Sequence, residues 1–203
     1  MKDPLKLFHY HELTNSSKKV IFLFHGTGGN ETDLLSLTEP FQKTHNIVGL
    51  LGNVSEHGMA RFFKRDDEGV FDQENIKQET EKLSLFIKAW IKKNKIDPKD
   101  ITYIGYSNGA NFILAELFNY PELVYKAALL HAMLPFAPED IDLSQKRLFF
   151  SWGQFDTVIL PFHSKKTVEA VQSMGAQPTV VITPSGHNIT SYEVEQLHNF
   201  INK

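Results

Sequence analysis

The chain has 203 residues, 41% apolar and 22% charged, an ordinary balance for one soluble domain large enough to bury a sizeable core. A net charge of −3 argues against nucleic acid or an anionic membrane as a partner, and no apolar run approaches bilayer-spanning length. Cysteine is absent, which excludes disulfides, thiolate metal sites and a cysteine nucleophile. The opening residues carry no apolar stretch of signal-peptide length, so a cytoplasmic location is expected.

In chain order, residues 7–12 alternate weakly and predict an edge strand. Nearly continuous apolar runs at 20–24, 47–51, 101–104, 127–131, 148–152 and 180–183 predict strands buried on both faces. Leu34, Leu35, Leu37 and Phe41 suggest a short helix after the second run. Between 74 and 93, Ile76, Leu83, Phe86, Ile87, Trp90 and Ile91 fall on one stripe at helical period, and Lys92, Lys93 and Lys95 suit its carboxyl end. Residues 110–118 read as a further helix, and Pro161 marks the start of another. Thr190 and Glu193 have capping-box spacing ahead of an apolar face of Val194, Leu197, Phe200 and Ile201. Strands alternating with helices imply a single α/β domain over 1–203, with a mostly parallel sheet covered on both faces. Segments 52–71 and 132–146 show neither pattern and are candidate pocket-forming loops at the carboxyl ends of strands.

Gly105-Tyr106-Ser107-Asn108-Gly109 matches the G-x-S-x-G pattern between a strand and a helix. Small residues flank a serine there because the turn crowds two backbones, and the following helix points its N-terminus at the reacting centre. Serine needs a positioned base, itself oriented by a carboxylate, in the chain order Ser, Asp or Glu, His. His187 lies in the loop between the last strand and the last helix, where that base belongs. His198 falls on the polar side of the final helix and reads as solvated, and His163 follows Pro161 at a helix start. His131 ends a strand and can approach the site, but it precedes every plausible acid. Asp156 follows the strand at 148–152, whereas Asp140 and Asp142 precede it in an acidic loop. The expected catalytic set is Ser107, Asp156 and His187.

An oxyanion formed at such a serine needs backbone N–H donors. Asn108, after the nucleophile, and Thr27, in the glycine-rich turn His25-Gly26-Thr27-Gly28-Gly29, are the candidates. His25 reads as a residue orienting that loop. Met59, Phe62, Phe63 and Met133 are the candidate substrate-binding residues, since apolar loop side chains suit an acyl chain or an aromatic ring. Arg61 is expected to pair with Glu56 or Asp66. His9 and His11 share a strand face without a third ligand nearby, so no metal site is expected.

On these residues the chain resembles the phospholipase/carboxylesterase branch of the α/β hydrolases, and within it bacterial hydrolases of the MhqD type, associated with quinone and hydroquinone stress. The resemblance covers most of the chain. It rests on the stretch from His25 to Glu31, on Gly52-Asn53-Val54 and Gly58-Met59-Ala60-Arg61-Phe62-Phe63, on the elbow through Asn111, on Leu130-His131-Ala132-Met133-Leu134-Pro135, and on Gly186-His187. It implies an α/β-hydrolase fold without a large lid domain, and the roles given above for Ser107, Asp156, His187, Thr27 and Asn108. It also implies hydrolysis of carboxylic esters, in some branches thioesters, without a cofactor. Ala60 stands where the family favours proline, and His57 where asparagine is common. The expected partner is a small-molecule ester, with a homodimer as the assembly the sequence leaves open. A thioester, a lactone or a ring-cleavage product are alternative substrates, and a non-catalytic binding protein on the same scaffold is the alternative class.

Overall fold

The six apolar runs become strands of one seven-stranded sheet in the computed structural model, which describes residues 3–65 and 70–203. In chain order the strands are β1 (Tyr10–Leu13), β2 (Val20–Phe24), β3 (Asn46–Leu50), β4 (Val54–Glu56), β5 (Met59–Arg61), β6 (Ile101–Tyr106), β7 (Lys126–Leu130), β8 (Arg147–Gly153) and β9 (Thr179–Thr183). The sheet order is β1-β3-β2-β6-β7-β8-β9; β1 runs antiparallel at one edge and every other pairing is parallel. β4 and β5 form a separate hairpin within the segment that showed no pattern in the sequence.

Helices cover both faces, and the period of two along a strand decides what each face holds. Val20, Phe22 and Phe24 of β2 join one cluster with α1 (Gln73–Asn94), α2 (Asn108–Asn119) and α3 (Pro161–Ser173). Ile21 and Leu23 of the same strand join the opposite cluster with α4 (Ser191–Asn202) and a short 3₁₀ helix at Leu35–Phe41. β2 is therefore buried at every position, as its uninterrupted apolar run required.

Local chemistry sets the helix ends. Asp72 caps α1 by accepting the N–H of Asn75, and Lys95 closes it in the left-handed conformation. Thr190 and Glu193 form the capping box of α4, each side chain bonded to the other's backbone. His198 departs from the solvated reading: it is half-buried, bonds the Leu37 carbonyl at 2.9 Å and packs edge-on against Phe41. Among the described residues no helix is long and apolar enough to cross a membrane, and no inserted lid domain interrupts the order of strands and helices.

Glu116 of α2 is fully buried, and neither of its carboxylate oxygens has a hydrogen-bond partner among the described residues. Burial pushes its carboxyl well above the usual range, so it stays protonated in the folded chain while the unfolded chain releases the proton. Its contribution to stability is complete below its ordinary value of 4.5 and is lost as pH rises toward the elevated folded value. Glu116→Gln removes that loss. Its stability relative to the parent, read by urea denaturation, should rise by about 1.4 kcal/mol per pH unit between that ordinary value and the elevated folded one.

Candidate functional site

Ser107 sits at the carboxyl end of β6 with φ 51° and ψ −114°, a conformation rare for a residue bearing a side chain. The turn is held by its neighbours. A Cβ on Gly105 would lie 2.7 Å from the backbone nitrogen of Ala110, and one on Gly109 would lie 2.2 Å from the carbonyl oxygen of Phe24. Both glycines of the motif are thus required by close backbone approach rather than by a special φ. The Ser107 N–H donates to the Leu130 carbonyl at 2.9 Å, which ties the turn to the end of β7.

The structure brings Ser107, His187 and Asp156 together across three strand ends. The Ser107 hydroxyl lies 3.0 Å from His187 Nε2, and His187 Nδ1 lies 2.7 Å from Asp156 Oδ2. A carboxylate only accepts, so Nδ1 carries the proton and Nε2 is left to accept from serine. Asp156 Oδ1 accepts from the N–H groups of Val158 and Ile159, each at 2.9 Å. Burial alone would raise this carboxyl, but hydrogen bonds from His131, from His187 and from those two amides hold it below the ordinary carboxylate range. The site therefore presents a buried, ionised carboxylate behind an imidazole that remains one-fifth exposed at 19%.

Tyr106, unassigned within the motif, fastens the histidine loop by donating its hydroxyl to the His187 carbonyl. Burial, with the charges of Asp156 and Glu193, pushes its phenol up to about 12, so it remains a donor at neutral pH. Its ring also packs 5.2 Å from the His187 ring.

The glycine-rich turn after β2 and the elbow both lie beside the hairpin, and three hydrogen bonds tie them to it. Arg61 Nη1 donates to Thr27 Oγ1 at 2.7 Å, the Gly28 N–H donates to the Ala60 carbonyl at 2.8 Å, and the Phe62 N–H donates to Asn108 Oδ1 at 2.8 Å. His25 accepts the Gly52 N–H on Nε2 and donates Nδ1–H to the Gly26 carbonyl, the loop-orienting role expected of it. Among the described residues the backbone N–H groups of Thr27 and Asn108 have no protein acceptor. Arg61 is buried and lies 3.5 Å from Glu56, in keeping with structural pairing, while Asp66 lies outside the described residues. His57 adopts φ 52° in the hairpin turn, a left-handed position that favours asparagine.

The candidate substrate-binding residues divide. Phe62 and Phe63 are fully buried, Phe62 stacked on Phe112 at 5.1 Å and Phe63 edge-on to Phe71, so they anchor the hairpin in the core and do not line a pocket. The expectation for these two is corrected: burial between β2, α1 and α2 claims both rings. Met59 stays 40% exposed, its side chain beside Gly28, and Met133 is half-buried with its N–H bonded to Asn111 Oδ1. A cleft of about 460 Å³ runs along Thr27, Gly28, Leu34, Tyr106 and Ile189. A group of apolar side chains missed in the sequence, Phe155, Val158, Leu160 and Phe162, stands exposed in the segment that carries Asp156.

The sequence reading let His131 approach the site but gave it no part there, and it read Glu193 only as a helix cap. His131 ends β7 with φ 52°, is fully buried, and bonds Asp156 Oδ2 at 2.9 Å through Nδ1 and Glu193 Oε1 at 3.0 Å through Nε2. The rule of chain order looks for the base after the acid and passes over a histidine placed before it.

Residues 11–203 match the phospholipase/carboxylesterase family. The chain is 35% identical to MhqD of Bacillus subtilis (strain 168), named as a hydrolase, over 89% of this chain and 91% of that protein. The Bacillus cereus carboxylesterase superposes with a TM-score of 0.90 at 33% identity, over 97% of this chain and 94% of that one. A carboxylesterase from Mesorhizobium loti gives 0.89 at 29% identity, over 97% and 95%.

The elbow's packing predicts the outcome of a one-methyl insertion. Gly109→Ala should lose about 1–3 kcal/mol or more of stability, because the new Cβ meets a backbone oxygen that cannot swing away. Urea denaturation with far-ultraviolet circular dichroism measures it, and a parent-like midpoint would contradict the crowding.

Proposed function

Since the chain belongs to the phospholipase/carboxylesterase family of hydrolases, we propose that it is a serine hydrolase cleaving small carboxylic esters through an acyl-enzyme. The observation that carries this reading is the pair of hydrogen bonds from Ser107 to His187 and from His187 to Asp156, at 3.0 and 2.7 Å. In this scheme Ser107 Oγ attacks the ester carbonyl while His187 Nε2 takes its proton. The carbonyl oxygen becomes an oxyanion that accepts from the N–H groups of Thr27 and Asn108. Collapse breaks the bond to the alcohol oxygen, which leaves with the proton held on His187. Water then repeats the sequence: His187 takes its proton, hydroxide adds to the acyl carbon, and the Ser107 oxygen leaves reprotonated. Asp156 keeps its charge throughout and fixes the imidazole's tautomer.

The cleft and the exposed apolar side chains describe the substrate. Tyr106, Leu34 and Ile189 offer apolar walls, and Phe155 and Phe162 offer exposed aromatic surface in the segment after β8. This favours esters with an aryl or short acyl group, and the same surfaces suit an aromatic-derived compound of the kind met in quinone detoxification. A thioester passes through the same acyl-enzyme and differs only in its leaving atom.

Ser107→Ala should reduce kcat on a nitrophenyl ester by about 10⁶-fold while the circular dichroism spectrum and melting temperature stay close to the parent's. A fluorophosphonate should label the parent at residue 107 and leave the variant unmarked. Turnover by the variant at the parent's rate would remove the reading. Across a panel, kcat/KM should be at least tenfold higher for 2-phenylethyl than for ethyl esters of one acid, whose leaving alcohols are similarly acidic, about 1.4 kcal/mol of apolar contact; equal values would remove the aryl preference.

A further inference from the structure

His131 is a titratable group that the hydrolytic scheme does not use, and its surroundings are unusual. Its ring lies between two carboxylates and is fully buried. Nδ1 is 2.9 Å from Asp156 Oδ2, and Nε2 is 3.0 Å from Glu193 Oε1. The remaining oxygens of both acids are taken by donors: Asp156 Oδ1 by the amides of Val158 and Ile159, and Glu193 Oε2 by the N–H and hydroxyl of Thr190. A neutral imidazole has one donor and one acceptor nitrogen, so between two acceptors it would leave one bond unmade at full burial. A ring with protons on both nitrogens makes both.

We propose that His131 is a permanently protonated imidazolium that positions Asp156 and sets the net charge facing His187. The proposal rests on the reading of Ser107, His187 and Asp156 as the hydrolytic machinery. The contacts form a closed ring. Asp156 Oδ2 takes a hydrogen bond from each imidazole; His131 continues to Glu193; and Glu193, through its other oxygen, holds Thr190 at the end of the loop that carries His187. One buried cation thus fastens the acid directly and the base through the first turn of α4. The carboxyl groups support the assignment. Burial would raise both, yet hydrogen bonds outweigh it and hold both below their ordinary ranges, and the two acids in turn lift His131 above its own.

The titratable groups facing His131 are Asp156, Glu193, the His187 ring at 5.1 Å and the Tyr106 ring at 5.7 Å. Tyr106 stays neutral, so His187 faces two negative charges and one positive, a net of one negative. Replacing His131 by a neutral side chain leaves two negatives, which favour a protonated His187 and impair it as a base. Replacing Glu193 by glutamine leaves none. Replacing both restores one.

The test is the pH profile of kcat/KM on a nitrophenyl ester for the parent, for His131→Gln, for Glu193→Gln and for the double variant. The acid limb should move up by about one pH unit in His131→Gln, move down in Glu193→Gln, and return to within about 0.3 units of the parent in the double variant. A limb that stays put in all three, while melting temperatures fall, would assign His131 a purely structural role and overturn the proposal. A second measurement needs no variant and no turnover. Nitrogen-15 NMR of the parent at pH 8 should show both His131 ring nitrogens bearing protons, and an unprotonated nitrogen at that residue would overturn the proposal. Failure of the serine mechanism is read separately, by loss of fluorophosphonate labelling at Ser107, and leaves the NMR result standing.

Discussion

Asp156 Oδ2 accepts two imidazole N–H groups at once, and most of the site's arrangement follows from what that sharing demands. The oxygen must be ionised, yet it is buried, so it needs enough donors to offset the loss of water. Two backbone amides occupy the sister oxygen, and two histidines approach from different strand ends. Parallel strands make this possible because they deliver all their carboxyl ends to one rim. Ser107 after β6, His131 after β7, Asp156 after β8 and His187 after β9 stand on neighbouring strands in chain order. The helices behind them carry the packing, so the side chains at the rim are held without forming the core themselves.

Strain and compensation lie close together in this rim. Ser107 and His131 both adopt positive φ, on adjacent strands, joined by the hydrogen bond from the Ser107 N–H to the Leu130 carbonyl. Such backbone conformations persist only where the surroundings over-determine them. At Ser107 the surroundings are the crowded glycines; at His131 they are the two carboxylates that its ring bonds.

Much of this was legible in the sequence, for a physical reason. Strands buried on both faces must be apolar throughout, so β2, β3, β6, β7, β8 and β9 were found within a residue or two of their observed ends. The elbow was legible because close backbone approach admits only glycine on either side of Ser107. The β4–β5 hairpin was not, since two three-residue strands are too short for alternation to register. Phe62 and Phe63 read as pocket residues because composition cannot tell a ring facing a cleft from one driven into the core. Glu193 was read as a helix cap, which it is, but a cap uses one carboxylate oxygen. The other oxygen's engagement with a histidine 62 positions earlier is a tertiary fact with no local pattern.

The hairpin touches both candidate oxyanion donors, Thr27 through Arg61 and Asn108 through the Phe62 amide. The two halves of that cradle therefore share one mechanical support, and a shift in residues 59–62 displaces both together. Met133 and the exposed side chains around Asp156 belong to other segments and can change without moving that support. The hairpin acts as the keystone of that cradle.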